Sequence, residues 1–92
     1  MLKANTLIKP SHTAIEQYVI DVVRRKRIEK EISQKELAFM LDLSIGFIGD
    51  IESTKSRAKY NLNHIDKLAE IFDCSPREFL PDEPFAKLKK KK

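Results

Sequence analysis

The chain is sparing with residues that loosen or cross-link a backbone. Its 92 residues include two glycines, four prolines, one cysteine and no tryptophan. A lone cysteine, Cys74, has no partner for an internal disulfide, which fits a reducing compartment. Two glycines are too few for a phosphate-cradling loop. No apolar run approaches the roughly 18 residues that a membrane-spanning helix needs. The opening "MLKANTLIKPSHT" also lacks the apolar block of a signal peptide. The expectation is therefore a cytoplasmic protein. This length suits one domain with a single modest core, not a deep cleft between two lobes. Charge of one sign is missing too, once its position is considered. Of the 18 basic residues, five lie in the terminal "KLKKKK", which leaves 13 against 14 acidic groups in the rest of the chain. The net charge of +4 is thus a property of the tail, and nucleic-acid binding has to be argued from where individual charges lie.

What is present is a series of helix starts. "TAIE", "SQKE" and "SPRE", beginning at Thr13, Ser33 and Ser75, each fit a capping box: a hydroxyl caps the first turn and a carboxylate three residues on reaches back. Pro76 suits a first helical position, and Ser44 and Asn63 are simpler caps. These signals predict five helices, at about 13–30, 34–41, 45–52, 64–73 and 76–80. Apolar stripes agree: Ile15, Val19, Val22 and Val23 on the first helix, Leu37, Ala38 and Leu41 on the second, Ile65, Leu68, Ala69 and Phe72 on the fourth. No alternating run predicts a strand. The expected organisation is an N-terminal arm at 1–12, a domain at 13–80 and a lysine-rich tail at 81–92.

Both glycines fall inside one predicted helix, in "SIGFIGDIES" (Ser44 to Ser53). A glycine inside a helix costs roughly 1 kcal/mol relative to alanine. This helix follows the second after only "LDLS", so a sharp turn must join them. Counting from Gln34, apolar residues stand at positions 4 (Leu37), 8 (Leu41), 10 (Leu43), 15 (Ile48) and 18 (Ile51), with small Ala38 at position 5 where two helices approach. Asp42 holds position 9, where left-handed backbone is expected.

"ISQKELAFMLDLSIGFIGDIES" resembles the helix-turn-helix of the lambda-repressor-like family, also called the XRE or Cro/repressor type. "VVRRKRIEKE" resembles the end of that family's first helix, and "NHIDKLAEIFDCSPREFL" its fourth and fifth. The resemblance covers about residues 18–80. It implies an all-α, compact five-helix domain, with its helix-turn-helix unit at 34–53, that binds duplex DNA and regulates transcription, commonly as a dimer.

In such a unit the second helix of the pair enters the major groove and the first crosses the backbone. The expected contacts are Gln34 and Lys35 at the start of helix two, then Ser44, Ile45, Gly46, Phe47, Asp50 and Ser53 along helix three. Gln34 matches the family's phosphate-contacting glutamine. Lys55, Arg57 and Lys59 follow in the loop, each able to neutralise one phosphate or to form a solvated turn. The reading face departs from the family's usual Gln, Asn, Ser or Arg: Ile45, Gly46, Phe47 and Asp50 can make neither an arginine–guanine nor a glutamine–adenine fork. Ile45 and Phe47 suit thymine methyls and Asp50 a cytosine amino group, so direct readout is thin and DNA shape contributes. Bare glycine lets a helix sit close to whatever it docks against. The Arg24–Arg27 run serves either phosphates or the helix dipole, and the lysine tail either grips phosphates or solubilises.

No catalytic constellation is present. His12, His64 and Cys74 are too scattered for a zinc site, and Asp50 and Glu52 point different ways, with Glu52 expected to tie down the following turn. No cofactor, metal, membrane or small-molecule substrate is expected. A rival reading on the same fold is a protein-interaction or antitoxin-like module, with Ile45 and Phe47 as anchors. Leu2, Leu7, Ile8, Phe85 and Leu88 lack an obvious core and suit either dimerisation, another protein partner held by the arms, or folding back.

Overall fold

The computed structural model describes residues 12–53 and 56–86. Among the described residues four α-helices follow in order: α1 (Ala14–Glu29), α2 (Gln34–Leu41), α3 (Ile45–Glu52) and α4 (Leu62–Phe72). A 3-10 turn, Pro76–Phe79, follows α4. Thr13 and Ser33 form the expected capping boxes with Glu16 and Glu36. Ser44 caps α3 through an Oγ that accepts from the Phe47 N–H at 3.0 Å.

The core is built from the predicted stripes. Val23, Leu37, Ile48, Leu68 and Phe79 are fully buried, with Val22, Ala38, Ile51, Ala69 and Phe72 nearly so. Each of the four α-helices contributes, so no helix is separable from the rest. At about 2 kcal/mol per large apolar side chain, this burial is the main stabilising term.

Several expectations need correction. The fifth helix is only one 3-10 turn of four residues. Pro81 explains the stop, since a proline disfavours helical backbone in the residue before it, and Leu80 is extended at φ −116 and ψ 151. The Ser75 box does not form: Ser75 Oγ accepts from Arg77 N–H, and Glu78 instead pairs with Lys26 at 3.0 Å. α4 begins at Leu62 with Asn61, not Asn63, as its cap, and His64 Nδ1 accepts the Asn61 N–H in the place a Glu would take. Ile15 lies at the rim of the first turn of α1 and is 45% exposed instead of packed. Phe85 does fold back, its ring meeting Tyr18 edge-on at 5.9 Å. Leu2, Leu7, Ile8, Lys55, Leu88 and the terminal lysines of the tail, at 87–92, lie outside the described residues.

Left-handed backbone appears at three non-glycine positions, Glu31, Asp42 and Asp73, with φ of 57, 60 and 55. All three stop helices. Asp42 is the residue expected to turn left-handed between α2 and α3, and Leu43 N–H returns to Ala38 O at 2.8 Å across it. An L side chain there costs roughly 1–2 kcal/mol per residue, less for Asp than for Glu. A carboxylate beside a helix C-terminus also opposes the dipole. Glu31→Gly should therefore raise stability by about 1 kcal/mol. Urea unfolding reads this directly, as a higher midpoint at unchanged slope.

Candidate nucleic-acid interface

α3 is a short helix with two glycines, and its stability comes from its surroundings. Eight residues are too few for a helix to persist alone in water. Ile48 and Ile51 bury one side at 0% and 1% exposure. Phe47 leans toward α4, half-buried, with its ring 6.2 Å from that of His64. The other side carries Ile45, Gly46 and Asp50, all exposed. Phe47 therefore stands at the margin of the exposed side, whereas Ile45 is 51% exposed. Ser53 caps the end, its N–H bonding Gly49 O and Asp50 O.

Neither glycine is demanded by the fold. Both have negative φ. A Cβ on Gly46 would meet nothing within 4 Å, and one on Gly49 would only touch Gln34 Oε1 at 3.6 Å, an ordinary contact. The protein's interior thus gives no reason for either residue.

A buried polar cluster fixes the end of α3. Arg27, in the last turn of α1, grips Glu52 with two bonds, Nε to Oε2 at 2.9 Å and the second terminal nitrogen (NH2) to Oε1 at 2.8 Å. Its remaining terminal nitrogen donates to Ile32 O at 2.8 Å. Gln34, opening α2, donates Nε2–H to the same Glu52 Oε1 at 2.9 Å. Arg24 Nε stands 3.8 Å away, from the solvent side. The Glu52 side chain is 3% exposed and that of Arg27 11%. The Arg27–Glu52 pair therefore joins α1, the α1–α2 turn, α2 and α3.

This cluster corrects the expectations for Glu52 and Arg27 and adds a role for Gln34. Glu52 ties preceding helices together instead of the following turn. Arg27 is a core residue, unlike its neighbours in the basic run. Gln34 directs an amide hydrogen inward, leaving its second N–H for another acceptor. A usable signal was present: Arg27 lies four residues past Val23 and Glu52 four past Ile48, so both sit on buried stripes.

The predicted cations divide sharply. Lys35 and Arg57 are exposed, and neither takes part in an ion pair among the described residues. Lys59 is different: its ammonium lies 2.8 Å from Glu16 Oε2. That bond, with the Thr13 backbone N–H, holds the Glu16 carboxyl below its usual range. At the end of the loop Tyr60 is buried, and burial, reinforced by the charge of Glu52, pushes its hydroxyl above the ordinary value. Burial lowers His64, which favours the neutral ring that its capping role requires.

Removing one member of a buried ion pair strands the other. Glu52→Ala should destabilise by about 3–5 kcal/mol, whereas the double change Arg27→Met with Glu52→Leu should be close to neutral. Denaturant unfolding of Arg27→Met, Glu52→Leu and the double variant measures this coupling.

Among the described residues no helix is long and apolar enough to cross a membrane, and no group of three or more His, Cys, Asp or Glu is placed to hold a metal ion. The helix-turn-helix family profile matches residues 23–79. Among solved structures, the chain is similar to the restriction-modification controller protein C.AhdI from Aeromonas hydrophila, at 32% identity over 68% of this chain and 92% of that one, with a TM-score of 0.59. It is similar to the hypothetical transcription factor NHTF from Neisseria, at 26% identity over 90% and 97%, with a TM-score of 0.60. A mutant of the restriction-modification controller protein C.Esp1396I shares the fold, at 22% identity over 87% and 92% and a TM-score of 0.62. No curated protein sequence matches. A capped two-helix unit with a left-handed Asp42 at its turn, inside a family-profile match that covers more than half of the chain, makes this chain a member of the helix-turn-helix family of the XRE type, a DNA-binding transcriptional regulator.

Proposed function

We propose that the protein is a repressor-type regulator that lodges α3 in the major groove of duplex DNA, working in the cytoplasm on the nucleoid. The observation that carries this reading is the exposed side of α3. It has an open glycine at position 46, for which the fold offers no internal reason. Close approach of a backbone to a partner surface is the remaining physical reason for glycine there.

In this docking, Ile45 meets thymine methyls and Ser44, Gly46 and Asp50 face the groove, with Phe47 and Ser53 at its margins. Asp50 accepts from a cytosine amino group and disfavours sites that bring a phosphate near. Lys35 and the second Gln34 N–H face phosphates from α2, and Arg57 does so from the loop. Lys55 belongs to the same proposal and lies outside the described residues. No fork-forming side chain stands among these groove-facing residues, so part of the selectivity comes from DNA shape.

A homodimer on a two-fold operator extends this reading. Support comes from a groove whose apolar lining includes Ile15, Val19, Leu62, Ile65 and Leu80, beside polar Glu16 and Asn61. Leu62 is 81% exposed there, with Ile15 and Leu80 at 45% and 41%, and an apolar patch of this kind marks an interaction surface. The competing use of α3, as a protein-docking helix, is separated by titrating random duplex at low salt, where tight and salt-sensitive binding favours DNA.

Two classes of variant test the DNA reading. Lys35→Ala and Arg57→Ala should each weaken binding to every duplex and reduce the slope of log affinity against log salt by about 0.9. Ile45→Ala should instead lose affinity only where a thymine is read, and replacing that thymine by uracil should abolish the difference between variant and wild type. Unchanged affinity at low salt in all three variants would refute the docking.

A further inference from the structure

We infer that His12, just before α1, and Glu16, in its first turn, are positioning residues for DNA binding, and that they hold the loop after α3 so that Arg57 meets a phosphate. The inference rests on the DNA-binding reading and adds to it two residues from outside the helix-turn-helix unit.

The loop Ser56–Tyr60 has no helix or strand to shape it. It is nonetheless tied at each position around Arg57. Ser56 Oγ accepts the Ala58 N–H at 3.0 Å. The Ala58 carbonyl, 46 residues along the chain from His12, lies 2.7 Å from His12 Nε2. A carbonyl only accepts, so that nitrogen carries the hydrogen. His12 is 7% exposed, and a buried imidazole without a partner would be costly, so this bond accounts for its place inside the fold. One residue on, Lys59 Nζ bonds Glu16 Oε2 at 2.8 Å. Tyr60 then enters the core at 9% exposure, its ring 6.0 Å from that of His64.

Arg57 is the exception among these residues. It points outward, and no ion pair engages it among the described residues. Lys59 has its charge matched by Glu16, at 2.8 Å. The two cations therefore have different roles. Lys59 is a strut, and Arg57 is the contact. A contact offered from a backbone already fixed loses less freedom on binding than one offered from a loose loop, and so binds more tightly for the same hydrogen bonds.

The test uses the full chain and a labelled random duplex, with affinity measured across a range of salt for wild type, His12→Ala, His12→Gln, Arg57→Ala and the double variant His12→Ala with Arg57→Ala. Gln places an N–H donor near the position of Nε2, and Ala removes it. The expected result is that His12→Ala and Arg57→Ala each lower the salt slope by about 0.9, that the double variant loses no more than Arg57→Ala alone, and that His12→Gln restores the wild-type slope. A merely structural role for His12 would add its loss to that of Arg57→Ala, and additive losses would overturn the inference. So would a folded His12→Ala protein with the wild-type slope. If His12→Ala does not fold, Glu16→Gln carries the test, since Gln keeps the capping role while releasing Lys59. Its slope should fall and converge with that of Arg57→Ala. A slope that rises by about one would make Lys59 a phosphate contact restrained by Glu16 and would overturn the strut. If Arg57→Ala itself is silent, the DNA reading of the loop fails together with this inference. If Arg57→Ala weakens binding and His12→Ala does not, the positioning role alone fails.

Discussion

An arginine and a glutamate that meet out of water set the arrangement of this domain. Desolvating two charges costs several kcal/mol per ion, and Coulomb attraction offsets it only when geometry is good and the remaining polar atoms are satisfied. Here the Arg27–Glu52 fork is bidentate, Ile32 O takes a third guanidinium hydrogen, and Gln34 adds a bond to the carboxylate. Apolar burial supplies more of the stability, but it is tolerant of small slides. The fork is not, because its bonds lose strength quickly with misalignment. It therefore fixes where the end of α3 sits relative to α1 and α2.

The placement of glycine shows where stability was not the controlling constraint. Glu31, Asp42 and Asp73 hold left-handed backbone that glycine adopts most easily. The two glycines instead lie in right-handed helix, where alanine is better. This inversion weakens α3, the element that most needs help, and the help arrives through tertiary contacts: the Ser44 cap at one end, Glu52 at the other, and Ile48 and Ile51 beneath. A helix held from behind is free to present bare backbone in front. Rigid support around a contact surface lowers the freedom lost on binding, and the tied loop after α3 extends the same logic to Arg57.

Much of this was legible in the sequence because local chemistry and global fold agree. The Thr13, Ser33 and Ser44 caps, the α2 and α4 stripes and the left-handed Asp42 follow from residue type and spacing alone. The failures have physical reasons. Pro81 acts backward on Leu80, so the last helix shrinks to one turn. Asn61 outcompetes Asn63 because His64 completes its box from the correct distance. Ile15 has the right phase but lies beyond the core's edge. Residue type alone assigns Arg27 to the exposed basic run and Glu52 to the following turn, although their phase puts both inside. The ties from His12 and Glu16 to the loop span 46 and 43 residues, and no local pattern announces contacts of that range.

The central claim is that the open side of α3 is kept bare for a partner surface, duplex DNA, and the most direct measurement is the paired stability and DNA affinity of Gly46→Ala. The account predicts a protein more stable by roughly 1 kcal/mol, as helix propensity requires, that nevertheless binds duplex DNA less tightly than wild type. A variant that gains the stability and keeps the full affinity would contradict it.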